Sequence, residues 1–226
     1  SDAPDVVRVT GVRAIPWKSY RAMRAAMDAY ANYRGHAPDA RFSFGLVLPA
    51  GYKLPPNFAM RVRTPEGLEY PVVMKGRLFI PPILPDGALD ADVVTNLKGV
   101  TIKIGTQIET PGVPAGMDRL GDTRLACQIA RAIRRVEDGL VTRLLRPNHC
   151  EKQTSDYWMT PSQPADGAEL IDGERRMTLD ARTEGEEMRF RIPLQDTGWS
   201  DNAVVFYRYK NPYEGRSARL TFNPRD

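Results

Sequence analysis

The stretch FAMRVRTPEGLEYPVVM, residues 58–74, contains two β-strand patterns separated by a short turn sequence. Residues 58–63 alternate apolar and charged side chains, and residues 68–74 are rich in the branched and aromatic side chains that strands favour. Between them, Thr64-Pro65-Glu66-Gly67 places proline and glycine where a tight reversal needs them. The stretch therefore predicts an antiparallel hairpin, and it sets the expected fold class.

Strand patterns of similar length occur along the rest of the chain. With 18 Gly and 19 Pro in 226 residues, short segments joined by turns are favoured over long helices. Together these patterns predict about ten short strands. With the two helices described below, they predict an α+β protein, predominantly β, with antiparallel sandwich-like sheets. The further strand patterns occupy residues 6–10, 42–48, 78–80, 100–104, 175–182, 188–194, 203–209 and 218–222.

Two segments have apolar side chains at the three- and four-residue spacing typical of amphipathic helices. Ser19 is the expected N-cap of the first helix, and Asp122 is the expected N-cap of the second. Both helices are predicted to pack on the sheets. Their apolar stripes are Tyr20, Met23, Met27 and Tyr30, and Leu125, Ile129, Ile133 and Val136.

Residues 1–226 are expected to form one β-rich domain. Residues 146–168 have few apolar side chains and many turn formers, which predicts a long connection. The two sides of this connection, 1–145 and 169–226, are alternatively two sub-lobes. A long connection inside a domain requires a restraint or a functional role.

The two cysteines, Cys127 and Cys150, are the expected restraint. A structural zinc site needs four ligands, and only these two thiols and His149 could contribute near this connection. Because His149 and Cys150 are adjacent on the chain, they face apart and form a poor base and nucleophile pair. The third alternative, a disulfide between Cys127 and Cys150, is therefore predicted, and it would stabilise the fold by about 3 kcal/mol. Cys127 is expected near the surface, because it lies roughly opposite Ile129 on the helix.

Sequence signatures of common enzyme classes are missing. The chain has no phosphate-binding glycine loop, no nucleophile elbow and no His-Glu-x-x-His motif. With His36 and His149 as the only histidines, the usual general base is scarce, and His36 is expected to cap a helix or face solvent. We expect a binding or structural module rather than an enzyme, with no cofactor and no metal.

Charge and hydropathy bear on partners and compartment. A net charge of +4 without any block of five like charges does not predict specific nucleic-acid binding. Apolar runs of about five residues are too short for a transmembrane span.

The chain starts at Ser1, as after removal of a signal peptide, although a trimmed terminus fits equally. With a disulfide, we expect a periplasmic or extracellular protein. The alternative is an intracellular protein with reduced thiols.

Arginine rows on predicted strands are candidate ligand-binding residues. If the strands at 58–63, 188–194 and 203–209 are neighbours in one sheet, their outward arginines form a basic stripe for an anionic polymer or an acidic glycan. Such clustering needs interleaved glutamates or an outside anion to offset the repulsion. The candidates are Arg61, Arg63, Arg189 and Arg191, with Arg208 and Lys210 on the third strand.

Aromatic side chains suggest a second ligand class. Tyr157 and Trp158 lie in the predicted connection and offer flat apolar faces on which sugar rings could stack. The alternative to a non-catalytic module is therefore a carbohydrate-active enzyme or lectin-like domain that uses acidic residues and Trp158.

Overall fold

The structure is a computed structural model that describes residues 7–8, 18–49, 51–85, 88–98, 100, 102–137, 150, 156–211 and 220–221. Its elements, in chain order, are β1 Val7–Arg8, β2 Lys18–Ser19, α1 Tyr20–Tyr33, a 3₁₀ turn Arg34–His36, β3 Arg41–Val47, β4 Met60–Arg63, β5 Leu68–Pro71, β6 Met74–Lys75, β7 Leu78–Phe79, β8 Asp92–Thr95, β9 Lys103–Glu109, β10 Met117–Arg119, α2 Leu120–Glu137, β11 Tyr157–Met159, β12 Ala165–Asp172, β13 Arg175–Thr178, β14 Ala181–Glu184, β15 Glu187–Ile192, β16 Val204–Tyr209 and β17 Leu220–Thr221.

The described strands form four antiparallel sheets. Sheet 1 has the order β1-β5-β4-β8-β2, sheet 2 is β17-β9-β3-β7-β6, sheet 3 is β10-β16-β12-β13, and sheet 4 is β11-β15-β14. Two helices pack among them, so the predicted class, α+β and predominantly β, is confirmed.

The hairpin at residues 58–74 is confirmed. Strands β4 and β5 pair antiparallel with Val62 opposite Tyr70, and the backbone N–H of Gly67 donates to the carbonyl of Thr64 at 2.9 Å. Gly67 has a φ of 83°, a left-handed conformation that a glycine adopts without the steric cost of a Cβ. Because β4 also pairs with β8, this hairpin supplies the centre of sheet 1.

The first helix follows its sequence signals closely. The Ser19 hydroxyl accepts a hydrogen bond from the Ala22 N–H at 3.2 Å, so the predicted N-cap is confirmed. Tyr20 and Met23 are buried, while Met27 and Tyr30 are partly buried against the same core.

The second helix starts earlier than predicted, at Leu120. The N–H of Leu120 donates to the carbonyl of Ala203, and Asp122 lies within the first turn instead of capping it. There the Asp122 carboxylate accepts hydrogen bonds from the side chains of Thr110 and Arg119. Contacts with distant segments thus extend the helix N-terminally beyond the local capping signal.

Two hydrophobic cores lie on opposite sides of α2. Leu125, Ile129 and Ile133 pack into the first core, with α1 and the strands of sheets 1 and 2. Leu120 and Cys127 pack into the second core, with the strands of sheets 3 and 4. The expectation that Cys127 lies near the surface is wrong: its exposed fraction is 1%, because the second core covers the side of α2 opposite Ile129.

The predicted disulfide between Cys127 and Cys150 is present, with the two Cα atoms 5.7 Å apart. It joins the buried side of α2 to the chain that leads into the C-terminal sheets. His149, a candidate metal ligand or general base, lies outside the described residues.

The predicted connection 146–168 contains regular structure. Residues 157–159 form β11, which pairs with β15, and β12 begins at residue 165. The predicted strand at 175–182 is divided between sheet 3 and sheet 4. The division falls at Leu179, which is buried and donates its N–H to the carbonyl of Ala168.

Each half of the chain contributes a strand to the sheets of the other half. Strand β10 pairs with β16 in sheet 3, and β17 pairs with β9 in sheet 2. The division into sub-lobes 1–145 and 169–226 stays a prediction.

Candidate functional site

The arginine rows do not share a sheet. Strand β4 lies in sheet 1, β15 lies in sheet 4, and β16 lies in sheet 3. The condition for a single basic stripe is therefore not met, although the side chains do alternate on β4 and β15 as the sequence predicts.

Arg61 and Arg63 flank a buried carboxylate. Glu69, on the neighbouring strand β5, has an exposed fraction of 1%. The Nε atom of Arg63 donates to Glu69 Oε1 at 2.7 Å, and the Nε atom of Arg61 lies 3.6 Å from Glu69 Oε2. A buried carboxylate needs such partners, so these two arginines have a structural role within sheet 1.

A second glutamate offsets the arginines of sheet 4. Arg182 and Arg189 lie directly opposite each other on β14 and β15, which would otherwise destabilise the pair of strands. Glu184 lies 3.3 Å from Arg182 and 2.9 Å from Arg189. The Arg182 guanidinium also covers one face of the Trp158 ring, 4.3 Å from its centroid.

Arg191 and Tyr157 line a cavity of about 510 Å³ at one end of sheet 4. Its walls come from the start of β11, the link between β13 and β14, the end of β15 and the segment that follows β15. The lining residues are Asp156, Tyr157, Met177, Thr178, Leu179, Asp180, Arg191, Ile192, Pro193, Gln195 and Asp196. Trp158 is the partner of Arg191 in the register of β11 and β15.

Arg191 connects two walls of this cavity. Its guanidinium contacts Asp156 at 3.4 Å on one side and hydrogen-bonds Asp180 on the other. The hydrogen bond to Asp156 and the attraction of Asp180 raise the pKa of Arg191.

The cavity lining is acidic in sum. Among the described residues that line it, three are aspartates, Asp156, Asp180 and Asp196, and one, Arg191, carries a positive charge. Asp196 accepts a hydrogen bond from the backbone N–H of Gly198 at 2.8 Å, which orients its carboxylate. The lining therefore offers carboxylate oxygens as hydrogen-bond acceptors, together with the Gln195 amide.

A polar cluster at the start of α2 binds the segment after β15 that forms one wall of the cavity. Arg124 donates to the carbonyls of Leu194, Asp196 and Trp199, and its Nη1 lies 2.6 Å from Asp201 Oδ1. These bonds hold the segment that carries Gln195 and Asp196. Arg124 was missed by the sequence reasoning, because its partners are 70 to 77 residues away along the chain.

His36 belongs to the same cluster. Its Nδ1 atom lies 3.1 Å from Asp201 Oδ2, although 165 residues separate the two in sequence. His36 is half-buried, in the 3₁₀ turn after α1. This pair connects the α1 side of the fold with the segment preceding β16.

The charge on Asp201 should make the fold sensitive to acid. Burial alone would raise the pKa of Asp201, but the hydrogen bonds from Arg124 and His36 outweigh it and lower the pKa. A lowered folded-state pKa contributes stability that is present at neutral pH and is lost as pH falls below about 4. We expect Asp201→Asn to reduce the loss of stability between about pH 5 and pH 2, as measured by urea unfolding.

The exposed Asp90, which contacts Arg21, provides the control for this measurement. Asp90→Asn removes the same charge from a solvated ion pair, which is worth little. Acid sensitivity that is unchanged by Asp201→Asn, or equally changed by Asp90→Asn, would contradict the assignment.

Among the residues that the structure describes, no three His, Cys, Asp or Glu side chains cluster as a metal ion would require. Within the same part of the chain, neither helix is both long and apolar enough to cross a bilayer.

Comparison with protein families, with curated proteins and with solved structures found no match.

Proposed function

We propose that this protein is an exported, non-catalytic binding module that recognises an uncharged glycan in the cavity beside β11 and β15. The observation that carries the proposal is the lining of this cavity, where carboxylates, an amide and a tyrosine ring converge on a space of about 510 Å³. Volumes of about 300–1,000 Å³ are usual for small-molecule sites, and one or two sugar rings fit within them.

The acidic lining favours neutral sugars over anionic polymers. Sugar hydroxyls donate hydrogen bonds, and Asp156 and Asp180 are acceptors at the cavity wall. A sulfate or uronate would meet three aspartates, while the one arginine is already paired with two of them. Of the two partner classes that the sequence suggests, an anionic polymer and a glycan, the geometry favours an uncharged glycan.

The contacts of Arg191 favour binding over hydrolysis. A glycosidase needs one protonated carboxyl group as the general acid beside a second ionised carboxylate. Asp156 and Asp180 both contact the Arg191 guanidinium and so have the same charged partner. The pair therefore lacks the contrast in environment from which acid and base roles arise.

The disulfide supports an oxidising compartment. Disulfides persist in periplasmic and extracellular proteins and are rare where thiols are kept reduced. The bridge between Cys127 and Cys150 is therefore consistent with an exported protein and disfavours the intracellular alternative.

A glycan array followed by calorimetry tests the proposal. We expect binding to one or more uncharged oligosaccharides, and we expect Asp180→Asn to weaken it about tenfold, or ~1.4 kcal/mol. The loss follows because the amide replaces one acceptor oxygen and removes one of the two carboxylates that hold Arg191 in place. The control is Asp90→Asn, which makes the same change at an exposed pair far along the chain and should bind like the parent.

Three outcomes contradict the proposal. Binding confined to sulfated or uronic-acid glycans would reverse the charge argument, and equal affinities of Asp180→Asn and the parent would place the site elsewhere. Release of new reducing ends from a bound glycan would replace it with the carbohydrate-active enzyme alternative.

A further inference from the structure

A second surface stands out on the opposite part of the fold, where aliphatic side chains face solvent. Four of the six large exposed hydrophobic side chains in the described residues fall between residues 73 and 89. Val73 and Ile83 have exposed fractions of 83% and 70%, the largest of the six, and Ile80 follows at 43%. Single exposed aliphatics are ordinary, but a cluster of them marks an interaction surface.

Val73 and Ile80 flank the β6–β7 hairpin. Strands β6 and β7 pair with Met74 opposite Phe79, and Val73 directly precedes β6 while Ile80 directly follows β7. Met74 and Phe79 point into the first core. Because side chains alternate along a strand, Val73 and Ile80 point away from the core, on the solvent side of the hairpin.

The chain that carries Ile83 is held in place by Tyr20. The Tyr20 hydroxyl donates to the carbonyl of Pro82 at 2.8 Å and accepts from the N–H of Leu84 at 3.0 Å. Leu84 is buried, so its neighbour Ile83 is presented outward by an anchored segment. We call Val73, Ile80 and Ile83 the aliphatic patch.

Two exposed cations lie on the hairpin between Val73 and Ile80, and the first acidic residue after this segment is Asp86. Residues 70–85 contain no Asp or Glu, and Lys75 and Arg77 are both exposed at the tip of the β6–β7 hairpin. The nearest preceding acid, Glu69, is buried and bound by Arg63. The patch thus combines solvent-exposed aliphatic side chains with two cations that no acid of the segment neutralises.

We propose that the aliphatic patch, with Lys75 and Arg77, docks the protein peripherally on an anionic lipid surface. Aliphatic side chains enter the interface between headgroups and acyl chains, and lysine or arginine beside them is attracted by anionic headgroups. This contact is separate from the glycan cavity, which lies in sheet 4.

The composition of the patch favours a lipid surface over a protein partner. Stable protein interfaces bury about 800 Å² on each side and rely on aromatic or arginine anchors seated in pockets. Here three aliphatic side chains and two cations project from a short hairpin. That arrangement suits weak, reversible and charge-dependent association with a bilayer.

Co-sedimentation with lipid vesicles tests the proposal. We expect the protein to sediment with vesicles that contain phosphatidylglycerol and to remain largely in solution with vesicles of phosphatidylcholine alone. The variant Lys75→Gln/Arg77→Gln should lower the partition coefficient on anionic vesicles about tenfold or more. Val73→Ser/Ile83→Ser should weaken it similarly, and both variants should unfold at the parent temperature, since the four side chains are exposed.

A charge-matched variant completes the design. Arg176→Gln/Lys210→Gln removes two positive charges from exposed ion pairs in and beside sheet 3 and should bind vesicles like the parent. Equal binding by all three variants would overturn the proposal, as would equal partitioning of the parent onto both kinds of vesicle. Failure of the parent to bind anionic vesicles would also overturn it and leave a protein partner as the occupant of the patch.

Discussion

Replacing Gly121 with Ala is expected to lower the free energy of unfolding by about 3 kcal/mol. A Cβ atom at this position would lie 2.2 Å from the carbonyl oxygen of His36 and 2.9 Å from the carbonyl oxygen of Asp201. Both are backbone atoms, so a side-chain rotation cannot relieve the overlap. The start of α2 would have to move away from both segments, and the small gain in helix propensity from alanine would not compensate.

The matched control is Gly35→Ala, in the 3₁₀ turn next to His36. A Cβ atom at Gly35 would meet no heavy atom within 4 Å, so the same substitution should leave stability unchanged or raise it slightly. Both variants are compared by urea unfolding at neutral pH. A Gly121→Ala variant within about 0.5 kcal/mol of the parent would contradict the close packing of α2 against these two segments.

Removing the disulfide, in the double variant Cys127→Ala/Cys150→Ala, is expected to lower the free energy of unfolding by about 3 kcal/mol. The bridge closes a loop with a sequence separation of 23, so its loss frees that loop in the unfolded chain. Cys127 is also buried in the second core, and truncation to alanine leaves a small void there.

Thiol chemistry checks this prediction independently of stability. The parent should have an intact mass lower than the reduced chain by the mass of one hydrogen molecule, and its thiols should resist labelling even after denaturation. The parent treated with a reductant should unfold at a urea concentration close to that of the double variant. Full labelling of both thiols in untreated protein from its native source would contradict both the bridge and the proposed compartment.

The local elements could be predicted because their signals lie within a few residues of one another. The turn at Gly67, the Ser19 cap and the Leu125, Ile129 and Ile133 stripe are each encoded by the spacing of adjacent side chains. The disulfide was also predictable, since the chain has only two cysteines and the alternatives for them were chemically poor.

The same reasoning placed Cys127 on the surface, which is wrong, and made a basic stripe conditional on three strands sharing one sheet, a condition that is not met. Periodicity identifies which side of an element is apolar, but it carries no information on which distant segment covers the other side. α2 packs between two cores, so the side opposite Ile129 is also buried. Likewise, alternation on β4, β15 and β16 is identical whether these strands share a sheet or lie in three.

The candidate site depends on such long-range contacts throughout. Tyr157 and Arg191 were identified from the chain, but their shared cavity arises only when β11 pairs with β15, and Asp180 reaches Arg191 through the β13–β14 link. His36 and Asp201 meet across 165 residues, and no local pattern marks either one. Side-chain spacing specifies the β4–β5 hairpin, the helical stripes and the disulfide, whereas the pairing of distant strands places the charges and forms the cavity.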